Sequence, residues 1–306
     1  MSDSRNQEVF KNLMPGFIEL ETSTYCNRRC SWCPNSKYKR SQLRNFISFN
    51  LFMKIINDLK EINYDGQLAL HNYNEPLLDP NLYKYLGIIK TKLPKAKVVL
   101  FTNGDYFEKI VLKKLEKNGV FSICISLHDA IGKDNYKEVL FNNLKKIGKE
   151  DYRLKDVSDV FGRKYKIDSS GMQIIYYVPN PKMMTSRGGI IKNLEKSNKN
   201  IFCFLPFSSS AIDYRGNMKI CCEVYPENNL HKKIGLIGNL KKKSFSDLWF
   251  SNKYNLLRKS FLSNNIKNRL CLKCLRNNNN IHHKKISEWK KFLKTKLLKH
   301  DQKHTN

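Results

Sequence analysis

Nine cysteines, at positions 26, 30, 33, 124, 203, 221, 222, 271 and 274, are the side chains of this 306-residue chain with the clearest capacity for chemistry. Eight of them lie in or near tight groups, a pattern that points to metal binding. Cys26, Cys30 and Cys33 form C-x3-C-x2-C inside the polar stretch TYCNRRCSWCPNSKYKRSQ. Thiolates are soft ligands that suit zinc, copper(I) or iron–sulfur clusters. Structural zinc wants four ligands and a closed shell. Three thiolates with no fourth Cys or His nearby suit a cubane-type cluster with one iron left open for another molecule. Zinc on three ligands, or a loop holding no metal, is the competing reading. Cys124 lies inside the apolar run FSICISL and reads as a small buried hydrophobe.

The elements around these cysteines alternate. Gly16–Thr22, Gln67–His71, Lys97–Thr102, Ser122–Leu127 and Met172–Val178 read as strands. Between them fall helical patterns: Phe52, Ile55, Ile56, Leu59 and Ile62 behind a cap at Ser48 or Asn50, then Asn81–Leu93, Lys109–Lys117 and about Lys137–Ile147. Alternation predicts parallel βα units with right-handed crossovers. The polar clusters follow strands, at the carboxyl-end rim where such folds bind ligands. After about residue 197 the pattern changes. AIDYRGNMKICC reads as a hairpin turning at Arg215–Gly216–Asn217, and a helix is expected around Ser244–Phe261. The segment 148–171 is long for a connection and is expected to line a pocket or form a surface insertion.

C-x3-C-x2-C with Trp32 before its last cysteine, placed after the first strand of a βα series, resembles the signature of the radical S-adenosylmethionine (SAM) superfamily. The resemblance implies a partial (β/α)6 TIM-like barrel in the α/β class. It implies a [4Fe-4S] cluster on Cys26, Cys30 and Cys33 whose open iron binds SAM, and reductive cleavage of SAM to a 5′-deoxyadenosyl radical that abstracts hydrogen from substrate. The cofactor supplies the hard chemistry and the protein the binding and shielding. Tyr73-Asn74-Glu75-Pro76-Leu77-Leu78 stands where the family carries a Gly-Gly-Glu-Pro-like segment, with both glycines replaced. Thr102-Asn103-Gly104 resembles a common family sequence, and Ser126 falls where ribose contacts arise. Ser186-Arg187-Gly188-Gly189 resembles an Arg-Gly segment whose Arg187 could pair with the SAM carboxylate. Trp32, Asn74, Glu75, Asn103, Ser126 and Arg187 are therefore the expected cofactor-binding residues. His128 and Tyr73, at strand ends, are the candidate catalytic groups.

Cys203, Gly216, Cys221 and the pair Cys271–Cys274 give C-x12-G-x4-C with a distant C-x2-C, which resembles the auxiliary-cluster extensions called SPASM and, in shortened form, Twitch. GLIGNLKKKSFSDLWFS (235–251) adds to the likeness. With no cysteine after Cys274, the Twitch form fits better, and it implies a second [4Fe-4S] cluster on Cys203, Cys221, Cys271 and Cys274. Cys222 is a rival to Cys221, which the spacing from Gly216 favours, since strand neighbours face opposite ways. A zinc ribbon on the same four cysteines is the alternative. A fully ligated cluster cannot bind substrate, so its task would be to carry an electron.

The expected organisation is a lead-in at 1–15, the barrel at 16–197, a SPASM/Twitch-like domain at 198–280 and a basic amphipathic tail at 281–306. In the tail, Ile286, Trp289, Phe292, Leu293, Leu297 and Leu298 recur at helical spacing, as for a helix docked on the body. No apolar run reaches the roughly 18–20 residues that span a bilayer, and the N-terminus has no secretion signal, so a cytoplasmic location is expected. Thiols there stay reduced. The net charge of +29 is mostly scattered Lys and reads first as solvated surface, not as a nucleic-acid footprint.

The leading expectation is a radical SAM oxidoreductase that dehydrogenates a sugar- or cyclitol-like alcohol. Its partners would be a small-molecule substrate and a reductant such as flavodoxin or ferredoxin. Radical modification of a peptide or protein is the second reading. About 15 residues before the first strand leave no room there for a leader-binding domain. A zinc-bearing RNA-binding protein and radical SAM modification of RNA are readings that the charge suggests.

Overall fold

The computed structural model describes residues 12–194, 203–274 and 286–294. They are organised by one ten-stranded sheet of order β10-β9-β8-β1-β2-β3-β4-β7-β6-β5. The strands are β1 (Phe17–Leu20), β2 (Gln67–Ala69), β3 (Lys97–Thr102), β4 (Ser122–Ser126), β5 (Lys155–Asp156), β6 (Gly162–Ser169), β7 (Met172–Pro179), β8 (Ser209–Ile212), β9 (Asn217–Lys219) and β10 (Leu236–Asn239). Six of them, β8-β1-β2-β3-β4-β7, run parallel, which gives the partial (β/α)6 barrel. Antiparallel strands extend it at both ends.

Helices α1 (Phe49–Glu61), α2 (Leu82–Lys92), α3 (Lys109–Lys117) and α4 (Tyr136–Lys146) lie between these strands in sequence. Each buries an apolar stripe; α1 buries Leu51, Phe52, Ile55, Ile56 and Leu59. Ser48 caps α1, its side chain accepting from the Leu51 amide. One face of the parallel strands is packed, and on β4 and β7 buried residues alternate with half-buried ones. Ile18, Leu68, Leu100, Ile123 and Ile174 are fully buried.

The segment 148–171, expected to line a pocket or form a surface insertion, is mostly exposed and adds β5 and β6 to the sheet edge, β6 pairing antiparallel with β7 from Gly162↔Pro179 to Ser169↔Met172. Two features depart from the sequence-based expectation. β8 lies beyond the expected boundary at 197/198, yet it pairs in parallel with β1, Ile18 opposite Ser210. The helix expected at 244–261 is two helices, Phe245–Trp249 and Asn252–Leu262. Ser251 separates them because its hydroxyl accepts the Tyr254 amide and caps a new start. A capping box on Ser244 and Asp247 opens the first.

The hairpin of β8 and β9 forms as expected, with Gly216 at φ 86° in its turn. Of the basic tail, 281–285 and 295–306 lie outside the described residues, as do 1–11 of the lead-in. The described helix, 286–294, packs on the body: Ile286, Trp289 and Leu293 are buried, and the Trp289 indole donates to the Phe207 carbonyl at 3.2 Å. Beneath it lies Arg258, fully buried. Its guanidinium donates to the carbonyls of Pro206 and Trp249 and to Asn255 Oδ1 at 2.6–2.9 Å. It also lies 3.9–4.2 Å from the ring centroids of Trp249, Tyr254 and Trp289. A planar guanidinium offers five donors in a fixed fork and a flat face to stack on rings, whereas an ammonium has three donors and no such face. Arg258→Ala should therefore cost on the order of 3 kcal/mol in denaturant unfolding, with Arg258→Lys recovering less than half.

Candidate active site

β1 ends in buried polar chain. Glu21, Thr22, Ser23 and Thr24 are all nearly inaccessible, and the three-cysteine loop follows. A second strip of chain holds that loop: Ile47 N–H donates to Thr22 O, Thr24 N–H to Asn45 O and Cys26 N–H to Ser41 O. Cys33 caps a short 3-10 turn, Pro34–Ser36, and donates its amide to Cys30 O at 2.9 Å. Burial, and then the neighbouring charges of Glu75, Cys33 and Cys30, push the Cys26 thiol up to about 12 against a bond from the Arg28 amide. Burial and Cys33 raise Cys30 to about 11. Cys33 is raised by burial as well, against the Asn35 amide and the positive charges of Arg187 and Arg40. The three thiols thus lie within each other's field. Metal binding deprotonates such thiols outright, so the donor set fits a soft metal cluster.

A buried ion pair anchors this loop. Arg40 donates through both terminal nitrogens to the two carboxylate oxygens of Glu21, and Arg40 Nε lies 3.0 Å from Glu227. Glu21 Oε1 also accepts the Tyr73 amide at 3.1 Å. Burial would raise the Glu21 pKa, but Arg40 and Lys219 hold it below the usual carboxylate range. Asn35 makes a second tie, donating to Tyr73 O at 2.8 Å and accepting the Tyr225 hydroxyl at 3.0 Å.

The residues expected at strand ends come to one rim, several of them occupied with each other. The Glu75 carboxylate is buried and turned into the protein, accepting Thr102 Oγ1 at 2.7 Å and the Asn103 amide at 2.8 Å. Its amide donates to Tyr25 O. The side chain thus builds the rim, and what the segment offers a ligand is backbone. Asn74 is buried, its Oδ1 accepting the Asn72 amide. Asn103 bonds Asn27 across the rim at 2.8 Å. Ser126 ends β4 opposite Tyr177. Trp32 packs against His128 with ring centroids 5.6 Å apart. Burial and the charge of Arg28 lower the His128 pKa to about 4, so the ring is neutral at pH 7. Its Nδ1 has no hydrogen bond among the described residues. Arg28 binds Asp105 at 2.5 Å and Asp129 at 2.9 Å, joining the cysteine loop to the ends of β3 and β4.

Arg187 has φ 51° and leads into Gly188 and Gly189, also at positive φ. Its Nη1 donates to Glu223 Oε2 at 2.9 Å, and Glu223 also accepts the Thr185 hydroxyl at 2.7 Å. Tyr73 is edged by two cations: Arg187 at 6.0 Å and Lys219 at 5.3 Å from its ring centroid. Lys219 is fully buried and donates to Asn72 Oδ1 at 2.5 Å and Val224 O at 3.3 Å. Burial raises the Tyr73 pKa well above that of a free phenol, against Arg187, so the group stays protonated. The Tyr73 hydroxyl and Arg187 Nε are buried with no hydrogen-bond partner among the described residues. Cys33 and Cys222 are both close enough to act on them electrostatically.

The later cysteines line one cavity. Cys203, Cys221, Cys271 and Cys274 form its wall together with His231, Glu223 and apolar side chains; Cys222 is not part of it. Burial, then like charge from neighbouring thiols, raises Cys221 and Cys271. His231 accepts the Tyr225 amide at Nδ1 and points Nε2 at Gly188 O, 3.3 Å away, which requires a neutral ring. Among the described residues no three His, Cys, Asp or Glu side chains converge on a point that could hold a single ion. Thiols spaced around a cavity match a cluster, a body with extent whose irons each take one ligand. Sequence reasoning did not single out Arg28, Asn35, Arg40, Lys219, Glu223 or His231. Of these only Lys219 carried a signal, a cation inside the short apolar run NMKICC.

Residues 20–163 match the model of the radical SAM superfamily, and residues 203–275 match that of SPASM, an iron–sulfur cluster-binding domain. The chain thus carries a radical SAM domain followed by a SPASM-type iron–sulfur cluster-binding domain. It is similar to the S-adenosyl-L-methionine-dependent 2-deoxy-scyllo-inosamine dehydrogenase of Niallia circulans, at 27% identity over 259 residues covering 84% of this chain and 91% of that protein. Its fold matches the crystal structure of BtrN in complex with AdoMet and 2-DOIA, with TM-score 0.65 and 24% identity, over 88% of this chain and 95% of that one. It also matches Streptococcus suis SuiB bound to the precursor peptide SuiA, with TM-score 0.53 and 15% identity, over 89% and 73% of the two chains. No described helix is long and apolar enough to cross a membrane.

Two outcomes follow from the electrostatics. Arg40→Met leaves Glu21 buried without its partner and should destabilise the fold by about 3–5 kcal/mol in denaturant titration. His128 binds its proton more weakly folded, near 4, than unfolded, near 6.5. Its contribution to stability is therefore full above pH 6.5 and declines as pH falls toward 4. Unfolding titrations across that window should show a shallower pH dependence in His128→Phe than in the parent.

Proposed function

We propose that this enzyme oxidises a secondary alcohol of a small polar, aminocyclitol-like molecule to a ketone. In net terms the carbon gives up a hydrogen atom, the hydroxyl a proton, and one electron is left over. Cys26, Cys30 and Cys33 would hold the SAM-binding cluster, and Cys203, Cys221, Cys271 and Cys274 the auxiliary one. Bound there, the first cluster and SAM supply the radical that takes the hydrogen atom, and the second cluster accepts the electron. The observation that carries this reading is the pair of unpartnered buried atoms, Tyr73 hydroxyl and Arg187 Nε, within reach of Cys33 and beside Glu223, which lines the cavity of the later cysteines. Buried polar atoms are nearly always paired, so a polar ligand completing them is the simplest account.

The chain's own groups suit such a ligand. Glu223, buried and shared with Arg187 and Thr185, would hold an ammonium or hydroxyl. Tyr73, kept protonated, donates to a substrate oxygen and does not serve as the base. His128 can accept a proton at Nδ1, though a ring with pKa near 4 is a weak base. Trp32, Asn74, Glu75, Asn103 and Ser126 form the SAM-side rim, with the Glu75 carboxylate setting that rim's shape. Arg187, already paired with Glu223, serves the substrate side more directly than a SAM carboxylate. The likeness to a 2-deoxy-scyllo-inosamine dehydrogenase supports the substrate class. A one-electron reductant such as flavodoxin or ferredoxin would prime the first cluster, in a cytoplasmic setting that keeps the thiols reduced.

The test is anaerobic reconstitution with iron and sulfide, then SAM, dithionite and 2-deoxy-scyllo-inosamine. The expected products are 5′-deoxyadenosine and a ketone in equal amounts. Cys30→Ala should abolish both. Cys221→Ala should lower bound iron by about half, whereas Cys222→Ala should keep it. Cleavage of SAM with no aminocyclitol oxidised would refute the substrate assignment. Full iron in Cys221→Ala would refute the ligand set.

A further inference from the structure

The strip that holds the cysteine loop has an unusual composition. From Thr22 to Asn57 there is no Asp or Glu, while Arg28, Arg29, Lys37, Lys39, Arg40, Arg44 and Lys54 fall within it. The chain as a whole has about one acid for every two basic residues, so about three acids would be expected over that length. Three of the cations are spent internally: Arg28 on Asp105 and Asp129, Arg40 on Glu21, Lys54 on Asp58. Lys37, Lys39 and Arg44 are exposed and have no acidic partner among the described residues. Arg44 lies on the Tyr25 ring, 4.4 Å from its centroid, next to Cys26.

The same strip exposes apolar side chains. Leu43 is 64% accessible, Phe49 43% and Phe46 38%. Lys84 reaches over the Phe49 ring at 3.9 Å and adds a fourth exposed cation. These residues lie directly on the outside of the cysteine loop. Phe46 bridges Ser23, and Ser41 O takes the Cys26 amide. An apolar centre rimmed by charges of one sign has the anatomy of a transient protein interface, and uncompensated charge steers an oppositely charged partner onto it.

We propose that the surface formed by Lys37, Lys39, Leu43, Arg44, Phe46 and Phe49 is the docking site of a small acidic one-electron carrier protein that delivers its electron to the cluster on Cys26, Cys30 and Cys33. The partner rests on the function proposed above, which requires one electron to enter at that cluster. The charge selects an acidic protein, and the position outside the loop selects a redox protein over other acidic proteins. Scattered cations elsewhere would serve RNA equally well; here Lys84 lies over the exposed Phe49 ring and Arg44 over Tyr25, the neighbour of Cys26.

The test uses the reconstituted holoenzyme and a purified bacterial flavodoxin. Binding is read from flavin fluorescence, and SAM cleavage is driven in parallel by reduced flavodoxin and by dithionite. Lys37→Glu/Lys39→Glu/Arg44→Glu should weaken flavodoxin binding by about tenfold or more at low ionic strength. Rising salt should weaken wild-type binding steeply and the variant little. Leu43→Ser, which leaves charge unchanged, should also weaken binding, by a few-fold. Flavodoxin-driven 5′-deoxyadenosine formation should fall with binding while the dithionite-driven rate stays at the wild-type level. Unchanged flavodoxin affinity in both variants overturns the proposal. So does loss of affinity for a mixed-sequence single-stranded RNA alone, with flavodoxin-driven turnover intact. Because affinity is measured directly, a wild-type enzyme that binds flavodoxin through this surface but does not cleave SAM would count against the proposed function and not against the docking site.

Discussion

The ion pair of Glu21 and Arg40 is the constraint on which the site depends. Two charges taken out of water cost several kcal/mol each, and only close geometry with further hydrogen bonds offsets that. Here the offset comes from four places at once: the end of β1, the strip after the cysteine loop, the Tyr73 amide after β2, and Glu227 from the C-terminal region. The pair therefore stabilises the fold only when all four are assembled. It links the loop that carries Cys26, Cys30 and Cys33 to the region that carries the second set of thiols.

Around that link the protein concentrates buried polarity that would otherwise be costly. Lys219 lies fully buried against Asn72 and the Tyr73 ring, Glu223 against Arg187, and Glu75 against Thr102 and Asn103. Most of these groups satisfy one another. Among the buried atoms that lack a hydrogen bond, the Tyr73 hydroxyl and Arg187 Nε belong to neighbouring side chains, the guanidinium lying 6.0 Å from the Tyr73 ring centroid. Arg187 also holds left-handed backbone, a conformation that side chains adopt at a cost and that surrounding packing must impose. Unsatisfied atoms and strained backbone at one place are the mark of a site shaped for a partner outside the chain.

The sheet ties the two cysteine groups to one framework. β8 returns beside β1, and β9 and β10 continue the same sheet outward. Cys221 follows β9 by two residues, so the wall of the second cavity is fixed two strands away from β1, which launches the first loop. Cys221 and Cys222 lie in a turn after β9 and not on a strand; Cys221 lines the cavity, whereas Cys222 does not and lies within the electrostatic reach of Tyr73 and Arg187. The aromatic cluster of Trp249, Tyr254 and Trp289 around Arg258 closes the far side of this region and seats the helix 286–294.

Thiol spacing and the alternation of apolar runs were enough to settle the class of this protein. C-x3-C-x2-C after a strand, four more cysteines in order, and helices with clear stripes are local properties, set by ligand chemistry and by periodicity, and they are read without knowing where distant segments lie. The bounds of Lys109–Lys117 and of Lys97–Thr102 belong to the same level. What only the tertiary structure decided are the pairings across long separations. That Glu75 spends its carboxylate on Asn103, that Arg187 meets Glu223, that Arg40 meets Glu21, and that β6 joins β7 while β8 joins β1 follow from which surfaces fold together. A lone Lys219 or Glu223 looks alike in sequence whether solvated or buried, because the free energy that fixes its role lies in the partners that burial supplies.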